Sequence, residues 1–255
     1  MLQEKKQVQM NLNILPKSSK NLLKVFKMSK NIFYTKFSEL ENRLDPQFYK
    51  TEYEDILNKI KKVNFKKLSQ CVLFSSEVWN QKDFFNQTFP YIEISEIDLI
   101  SGKIHNVKQI NILEAPSRAK MIVRNQDILI STTRPNRGAI SLIDSDNILI
   151  ASTGFAVIRN CSEQISKKYL FIVLKMDFIL KQFEQRSSGG NYPAITLEEL
   201  SNIIIPIPSR DVQNPIILKM EQAYQLKEQK EKEASNKFRF ALISILLKEL
   251  EIQPF

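Results

Sequence analysis

Hydrophobic and polar positions change their spacing several times along this chain, and each change predicts a different kind of element. In the segment RLDPQFYKTEYEDILNKIKK, Asp45 can cap a helix whose first turn holds Pro46. Apolar residues then recur at helical spacing, which predicts an amphipathic helix over residues 45–62. The residues that define its apolar face are Tyr49, Tyr53, Ile56, Leu57 and Ile60.

Between about residues 66 and 165 the apolar runs become short. They read YIEISEI, KMIVRNQDILIST, GAISLI and NILIASTGFAVIR. Turn signals lie between them, at Ser101-Gly102 and at the tetrapeptide PNRG of residues 135–138. This pattern predicts the strands of a mixed or antiparallel sheet.

Helical spacing returns after the strands. The segment SKKYLFIVLKMDFILKQFEQ predicts one helix, and the loop RSSGGNYPAI at residues 186–195 follows it with two of the chain's five glycines. Thr196, with Glu199 three residues later, predicts the capped start of a short helical turn. A strand ending at Pro206 and Pro208 should come next.

The segment Val212 to Leu250 contains no glycine and only one early proline, Pro215, and it predicts a long helix. A heptad register places an apolar seam along it, interrupted at Lys227 and Glu231. Such a seam needs a partner, which is a second copy of the chain, the helix at residues 45–62, or another protein. The seam consists of Ile217, Met220, Tyr224, Ala234, Phe238, Ala241 and Ile245.

Composition and charge narrow the class of protein. The chain has 255 residues, 43% of them hydrophobic, which is enough for a core. It has no apolar run of about 18 residues and no signal-peptide pattern, so we expect a cytoplasmic protein without membrane contact. The formal net charge is +9, and residues 1–36 hold eight lysines and one glutamate. That basic arm is either a solvated tail or a nucleic-acid-binding arm.

Residues that could carry catalysis are scarce. Cys71, Cys161 and His105 do not form a cysteine/histidine zinc pattern or a disulfide framework. The chain lacks a Gly-x-Gly cofactor turn, a P-loop and a nucleophile elbow, and residues 214–217 match an amine-methylation motif only in part. Glu93, Glu96 and Asp98 could form a nuclease metal site or simply polar strand positions. We therefore predict no catalytic residue, no bound cofactor and no metal.

Donor-rich turns remain as candidate binding residues. Arginine can bind guanine bidentately and asparagine can bind adenine, while hydroxyl groups can position phosphates. The alternative for each turn is a solvated surface loop, and we expect Trp79 to lie in the core. The candidates are Ser131, Thr132, Thr133, Arg134, Asn136 and Arg137, then Gln81 and Lys82, and in the glycine loop Arg186, Ser187, Ser188, Asn191 and Tyr192.

The order of four segments resembles a known family. RLDPQFY, APSRAKMIVRNQDILISTTRPNRG, LIASTGFAVIR and SSGGNYPAITLEELSNIIIPIPS, followed by a long helix, are similar to the target recognition domain and conserved helix of type I restriction-modification specificity subunits. The resemblance covers about residues 37–250. Since we find no internal repeat, it implies a half-size subunit with a single recognition domain.

The resemblance implies an α+β fold, with a mixed or antiparallel sheet, flanking helices and a protruding coiled-coil helix. Residues 37–211 would bind double-stranded DNA, and residues 212–255 would form a homodimer and dock a methyltransferase subunit and a restriction subunit. The methyltransferase subunit would carry S-adenosylmethionine. The other candidate function is a coiled-coil adaptor with incidental nucleic-acid binding.

The resemblance also implies a place for the glycine loop, between the last helix of the recognition domain and the strand that leads to the long helix. Gly189 and Gly190 would permit a tight reversal there, and Asn191 and Tyr192 would project. Two roles stay open for this loop. Either it lies against DNA phosphates, or it only packs the domain on its helix.

Overall fold

The computed structural model of the chain describes residues 41, 43, 45–80 and 87–249, with side chains as far as Lys237. Residues 1–36, Gln81, Lys82 and the side chains of Phe238 and Ile245 lie outside that range, so the predictions made for them stay predictions. The chain divides into two compact units between Glu54 and Asp55. The predicted domain limits at residues 36 and 211 also stay predictions.

The helix predicted for residues 45–62 is two segments. A 3-10 helix covers Pro46–Tyr49, and the Asp45 carboxylate accepts a hydrogen bond from the backbone N–H of Phe48 at 3.0 Å, as the capping prediction requires. Lys50 then leaves the helical region with a ψ of 138°. Helix α1, Thr51–Ile60, begins after it. The prediction of one continuous helix is therefore wrong at this break.

The described residues form two four-stranded sheets and a two-stranded ribbon. The spatial orders are β2-β9-β6-β7, β4-β3-β8-β5 and β1-β10. All pairs are antiparallel except β3 and β8, which run parallel. The strands are β1 Phe65–Lys67, β2 Val72–Ser75, β3 Thr88–Ile92, β4 Lys108–Asn111, β5 Ala119–Val123, β6 Ile128–Ser131, β7 Ile140–Leu142, β8 Leu149–Ser152, β9 Phe155–Cys161 and β10 Ile204–Pro206.

Two of the predicted apolar runs each divide between the two large sheets. KMIVRNQDILIST becomes β5 and β6, and NILIASTGFAVIR becomes β8 and β9. Each run reverses direction at a short turn. In the turn between β5 and β6, Gln126 has a positive φ of 64°. The mixed and antiparallel pairing is confirmed, and the chain crosses from one sheet to the other inside these runs.

The helices after the strands are α2 Lys167–Leu174, α3 Asp177–Arg186, α4 Leu197–Ser201 and α5 Arg210–Glu249. The single helix predicted for residues 166–185 is wrong, because Met176 is extended with a ψ of 145° and separates α2 from α3. Both helices bury apolar residues in the same core cluster, so the break lets the second helix turn and cover that core. The predicted cap of α4 is confirmed, since the backbone N–H of Glu199 donates to Thr196 Oγ1 at 3.2 Å.

The core is layered, and strand β6 is buried on both sides. Ile128 and Ile130 face a cluster shared with α2 and α3. Leu129 faces a second cluster, together with Ile92 and Ala151 of the other four-stranded sheet. This follows from the alternation of side chains along a strand. The architecture is the predicted α+β class, and it gives the turn that follows β6 a rigid base.

Helix α5 confirms the predicted long helix and packs its first turns on its own domain. Ile217 is half-buried against the cluster that α2 and α3 share, and Tyr224 donates from its hydroxyl to the Ile100 carbonyl at 3.4 Å. The start of the predicted seam therefore faces this chain. Leu218 and Leu226 of the same helix are 59% and 56% exposed.

Among the described residues, no helix combines the length and the apolar composition needed to cross a bilayer.

Candidate nucleic-acid interface

The turn between β6 and β7 has an unusual backbone at Arg134. Its φ and ψ are 48° and 51°, a left-handed conformation that is uncommon for residues other than glycine. A 3-10 helix, Pro135–Arg137, follows and ends at Gly138, which is also left-handed with a φ of 77°. The predicted PNRG turn is confirmed, and it holds two consecutive side chains, those of Asn136 and Arg137, at its tip.

The glycine loop docks against this turn and holds Arg134 in place. The backbone N–H of Arg134 donates to the Pro193 carbonyl at 2.7 Å, and its guanidinium donates to the Asn191 carbonyl at 3.0 Å. The guanidinium carbon also lies 4.1 Å from the centre of the Tyr192 ring, which is cation–π geometry. The two donor-rich turns predicted from sequence therefore form one surface.

The glycine loop is closed by its own backbone. Ser188 and Ala194 exchange hydrogen bonds at 2.9 Å and 2.8 Å, and the Ile195 N–H donates to the Thr132 carbonyl at 2.9 Å. Gly189 makes the reversal with a φ of 99°, and a β-carbon there would lie 3.2 Å from the Tyr192 carbonyl. Conformational freedom is thus needed at Gly189, while the β-carbon position of Gly190 is open.

The exposed predicted residues of the two turns carry amide, guanidinium, hydroxyl and phenol groups. Tyr192 is 72% exposed although its ring contacts Arg134. Thr133 and Arg134 are half-buried at its edge. We call this surface the paired-turn surface; its exposed predicted residues are Asn136, Arg137, Ser188, Asn191 and Tyr192.

Other predicted donors form hydrogen bonds inside the chain. Ser131 is buried and donates from its hydroxyl to the Thr133 carbonyl at 2.7 Å. The hydroxyls of Thr132 and Ser187 donate to the carbonyls of Gly154 and Phe183.

Arg186 is buried as well, and it pairs with Glu199 at 2.8 Å. These contacts give Arg186 and the three hydroxyl residues a visible role in supporting the surface. A DNA-binding role for them stays a prediction.

The acidic cluster near residue 93 is engaged in hydrogen bonds and ion pairs. Lys108 pairs with Glu93 and with Glu96, the latter at 3.2 Å. Hydrogen bonds from Ser101 hold the pKa of Asp98 below its usual range. Among the residues that the structure describes, no group of three potential ligands is arranged to hold a metal ion.

Trp79 confirms the expectation of a core position. It is 3% exposed, packs on Phe89 and donates from its indole N–H to the Ala119 carbonyl at 2.6 Å.

Residues 73–237 match the family model of the type I restriction modification DNA specificity domain. The match contains both turns of the paired-turn surface and the first part of α5, and it covers more than half of the chain. The chain belongs to this family.

Two specificity subunits are similar to this chain. The chain is 27% identical over 136 residues to the HindI specificity subunit of Haemophilus influenzae. The aligned region covers 52% of this chain and 30% of that protein. The identity to the MjaVIII specificity subunit of Methanocaldococcus jannaschii is also 27% over 136 residues, or 50% and 32% of the two chains. The chain thus spans about a third of the length of these curated relatives.

Two solved structures share both the fold and part of the sequence. The HsdS subunit of Thermoanaerobacter tengcongensis matches with a TM-score of 0.58 and 32% identity, over 71% of this chain and 47% of that one. A chain from a structure of the type I R-M system, described in terms of complex assembly and conformational transition, matches with a TM-score of 0.59 and 31% identity, over 73% and 49%.

Sequence reasoning missed one residue of this specificity domain. Lys175 directly follows α2, and its ammonium lies within hydrogen-bonding distance of carbonyls from two separate turns, one of which carries the paired-turn surface. The only local signal is a lysine placed after the apolar run YLFIVL. That signal is weak, because a lysine at a helix C-terminus is common.

Proposed function

We propose that this chain reads DNA sequence for a type I restriction-modification complex, and that the paired-turn surface is its recognition surface. The observation that carries the proposal is the docking of two donor-rich turns onto each other through Arg134 and Tyr192. Groups fixed before binding lose little conformational entropy when they meet a ligand, which favours a specific contact.

The exposed groups suit a DNA groove. Arg137 can donate two parallel hydrogen bonds to guanine, and Asn136 or Asn191 can pair with adenine. Arg134 is held by Tyr192, so we assign it to supporting the loop and to phosphate contact. Hydroxyl groups such as that of Ser188 would add contacts to phosphate, which fix the register on DNA without reading sequence.

Catalysis would lie on other subunits. We propose that a methyltransferase subunit carries S-adenosylmethionine and the catalytic residues, and that this chain binds no cofactor of its own. A restriction subunit is a further proposed partner. Support comes from the family match and from a similar solved chain whose structure concerns assembly of the type I R-M system. We also propose a cytoplasmic location, where DNA and these partners meet.

Helix α5 would connect subunits. Ile217 and Tyr224 pack the start of the predicted seam on the chain's own domain, and Leu226 is 56% exposed further along the helix. We propose that two copies pair through the later part of this helix, where Phe238 and Ile245 continue the predicted seam. A two-fold axis would then make the DNA target two inverted half-sites with a spacer of fixed length.

The helix proposal is tested by light scattering at micromolar concentration. We expect the mass of a dimer, and we expect Phe238→Asp to give a monomer by placing a charge in an apolar contact. A monomer mass for the unaltered chain would contradict the homodimer. A dimer that binds only asymmetric sites would retain the assembly and contradict the symmetry.

DNA recognition is tested by producing the chain with its methyltransferase subunit and sequencing the methylated sites. We expect methylation at one sequence, and Arg137→Ala should weaken binding to that sequence by about 1 to 3 kcal/mol. Arg137→Lys keeps the charge and loses the bidentate geometry. The Arg137→Lys variant should therefore weaken specific binding nearly as much as Arg137→Ala does, while its non-specific binding should be retained.

Asn147→Ala is the matched control, because Asn147 is an exposed asparagine in a different turn. Its substitution should leave the methylated sequence unchanged, whereas Asn136→Ala should relax it. If specific and random DNA bind equally well while the subunits still assemble, the adaptor function replaces this proposal.

A further inference from the structure

Lys175 connects two turns that are far apart in sequence. Its Nζ atom lies 2.9 Å from the Leu99 carbonyl oxygen, 3.2 Å from that of Gly138 and 3.5 Å from that of Ile140. An ammonium group has three N–H donors, so it can bond both turns at once. Gly138 ends the turn that carries Asn136 and Arg137.

The second turn, residues 98–102, is pressed against the same part of the fold. Gly102 is left-handed with a φ of 74°, and a β-carbon on it would lie 2.5 Å from the Ile140 carbonyl oxygen and 2.7 Å from the Phe171 ring. The Asp98 carboxylate accepts hydrogen bonds from the backbone N–H and the hydroxyl of Ser101, both at 2.6 Å. This turn is therefore a compact piece that fits tightly beside β7 and α2.

Helix α5 also contacts this turn and the residue that follows it. Tyr224 donates to the Ile100 carbonyl, and Lys103 pairs with Glu228 at 2.6 Å. A continuous set of contacts thus leads from the long helix through residues 98–102 to Lys175, and from there to the recognition turn.

Partial burial of the Lys175 ammonium group is unfavourable, because it removes water from a charge. Burial lowers the pKa of Lys175 to about 8, although the Asp98 carboxylate opposes this. Methionine has a similar unbranched stem and would fill the same space without desolvating a charge. Stability of the whole fold is therefore a poor explanation for a lysine at this position.

We propose that Lys175 is a positioning residue that fixes the recognition turn, residues 134–138, to the turn at residues 98–102 and so sets its orientation relative to helix α5. If one turn moved away from the other, the ammonium group of Lys175 would lose its hydrogen bonds to that turn. It would stay half-buried against the turn that remained in place. The lost bonds would then not be replaced by full hydration of the charge. The importance of this geometry for DNA rests on the proposed function.

The test compares the full chain with its Lys175→Met variant by amide hydrogen exchange and by urea unfolding. The reporters are the backbone N–H groups of Gly102 and Gly138, which donate to the Asp98 and Pro135 carbonyls. We expect exchange at both to be about tenfold faster in the variant, since hydrogen bonds to a charged group are lost. Exchange in β6 and β9 and the unfolding free energy should not fall.

Two further variants sharpen this comparison. Lys175→Arg keeps donors at the position and should restore part of the protection. Lys181→Met is the control, because Lys181 is a lysine on α3 that pairs with Glu184 on the same helix. It should leave exchange at Gly102 and Gly138 unchanged.

Unchanged exchange at both reporters in Lys175→Met would overturn the proposal. A variant that does not fold, or that loses unfolding free energy in step with local protection, would overturn it as well, because Lys175 would then be an ordinary structural residue. Faster exchange with unaltered DNA binding would uphold the positioning role and contradict the proposed function of the turn. Weaker specific binding with unchanged exchange would contradict the positioning role and uphold the proposed function of the turn.

Discussion

Replacing Arg159 with methionine should lower the free energy of unfolding by about 3 kcal/mol, because it leaves a buried carboxylate without its cation. The guanidinium Nε of Arg159, on β9, donates to both carboxylate oxygens of Asp127 at 2.8 Å and 3.0 Å. The same guanidinium bonds Glu77 and the Ile122 carbonyl of β5. The group therefore joins the two large sheets as well as neutralising Asp127.

The magnitude follows from the burial of Asp127, which is 0% exposed. Breaking a buried ion pair by removing one partner typically costs about 3 to 5 kcal/mol. We expect the lower end, because the backbone N–H of Arg124 still donates to Asp127 at 2.9 Å. Since domains of this kind are stable by only about 5 to 15 kcal/mol, the change is large enough to measure.

Urea unfolding followed by circular dichroism provides the assay, with Arg118→Met as the control on an exposed arginine. That control should change the unfolding free energy by less than about 0.5 kcal/mol. Adding Asp127→Asn to Arg159→Met should recover about 1 to 2 kcal/mol, because the buried group is then neutral. A loss below about 1 kcal/mol for Arg159→Met, or a double variant less stable than the single one, would refute the reasoning.

Other predictions concern the paired-turn surface, the response to acid and the basic arm. In a double-variant cycle of Tyr192→Ala with Arg134→Ala, the free energies of binding to the methylated sequence should show a coupling of about 0.5 to 1 kcal/mol. An absence of coupling would mean that the Tyr192 ring does not hold the Arg134 guanidinium. Gly189→Ala should lower the unfolding free energy by about 1 kcal/mol in urea, because its φ is 99°; an unchanged value would show that the loop adapts. Hydrogen bonds from Arg124 and Arg159 hold the pKa of Glu77 below its usual range. The stability that they contribute is therefore present above the usual pKa and is lost as the pH falls through the lowered one. Acid unfolding of Glu77→Gln should therefore depend less on pH, and an identical pH profile would contradict this. Deletion of residues 1–36 should weaken binding to all DNA and reduce its salt dependence, whereas a loss confined to the methylated sequence would argue against phosphate contact.

Local chemistry allowed the sequence to predict many of the elements. Thr196 caps its helix, Gly102 and Gly138 occupy left-handed turns, and the glycine-free segment after Val212 is one long helix. Each feature depends on a few neighbouring residues, such as a hydroxyl that accepts a backbone hydrogen bond or a residue without a β-carbon. These requirements hold in any fold, so the sequence alone is enough to predict them.

Helix continuity was harder to predict, because tertiary packing decides it. Apolar residues recur through the segment KKYLFIVLKMDFILKQFEQ, yet the helix breaks at Met176 so that both halves cover one core. Periodicity indicates which residues prefer burial. It does not say where the surface that buries them ends.

Tertiary structure alone decided which donors share a surface and which ones face inward. Arg134 and Tyr192 are 58 positions apart in the sequence, and only the docking of one turn on another brings the guanidinium to the ring. Ser131 and Arg186 belong to the same donor-rich segments, and both are buried in internal hydrogen bonds. Lys175 shows the same limit, because its partners are backbone carbonyls. Any residue type can supply a carbonyl, so no pattern of side chains predicts where three of them meet.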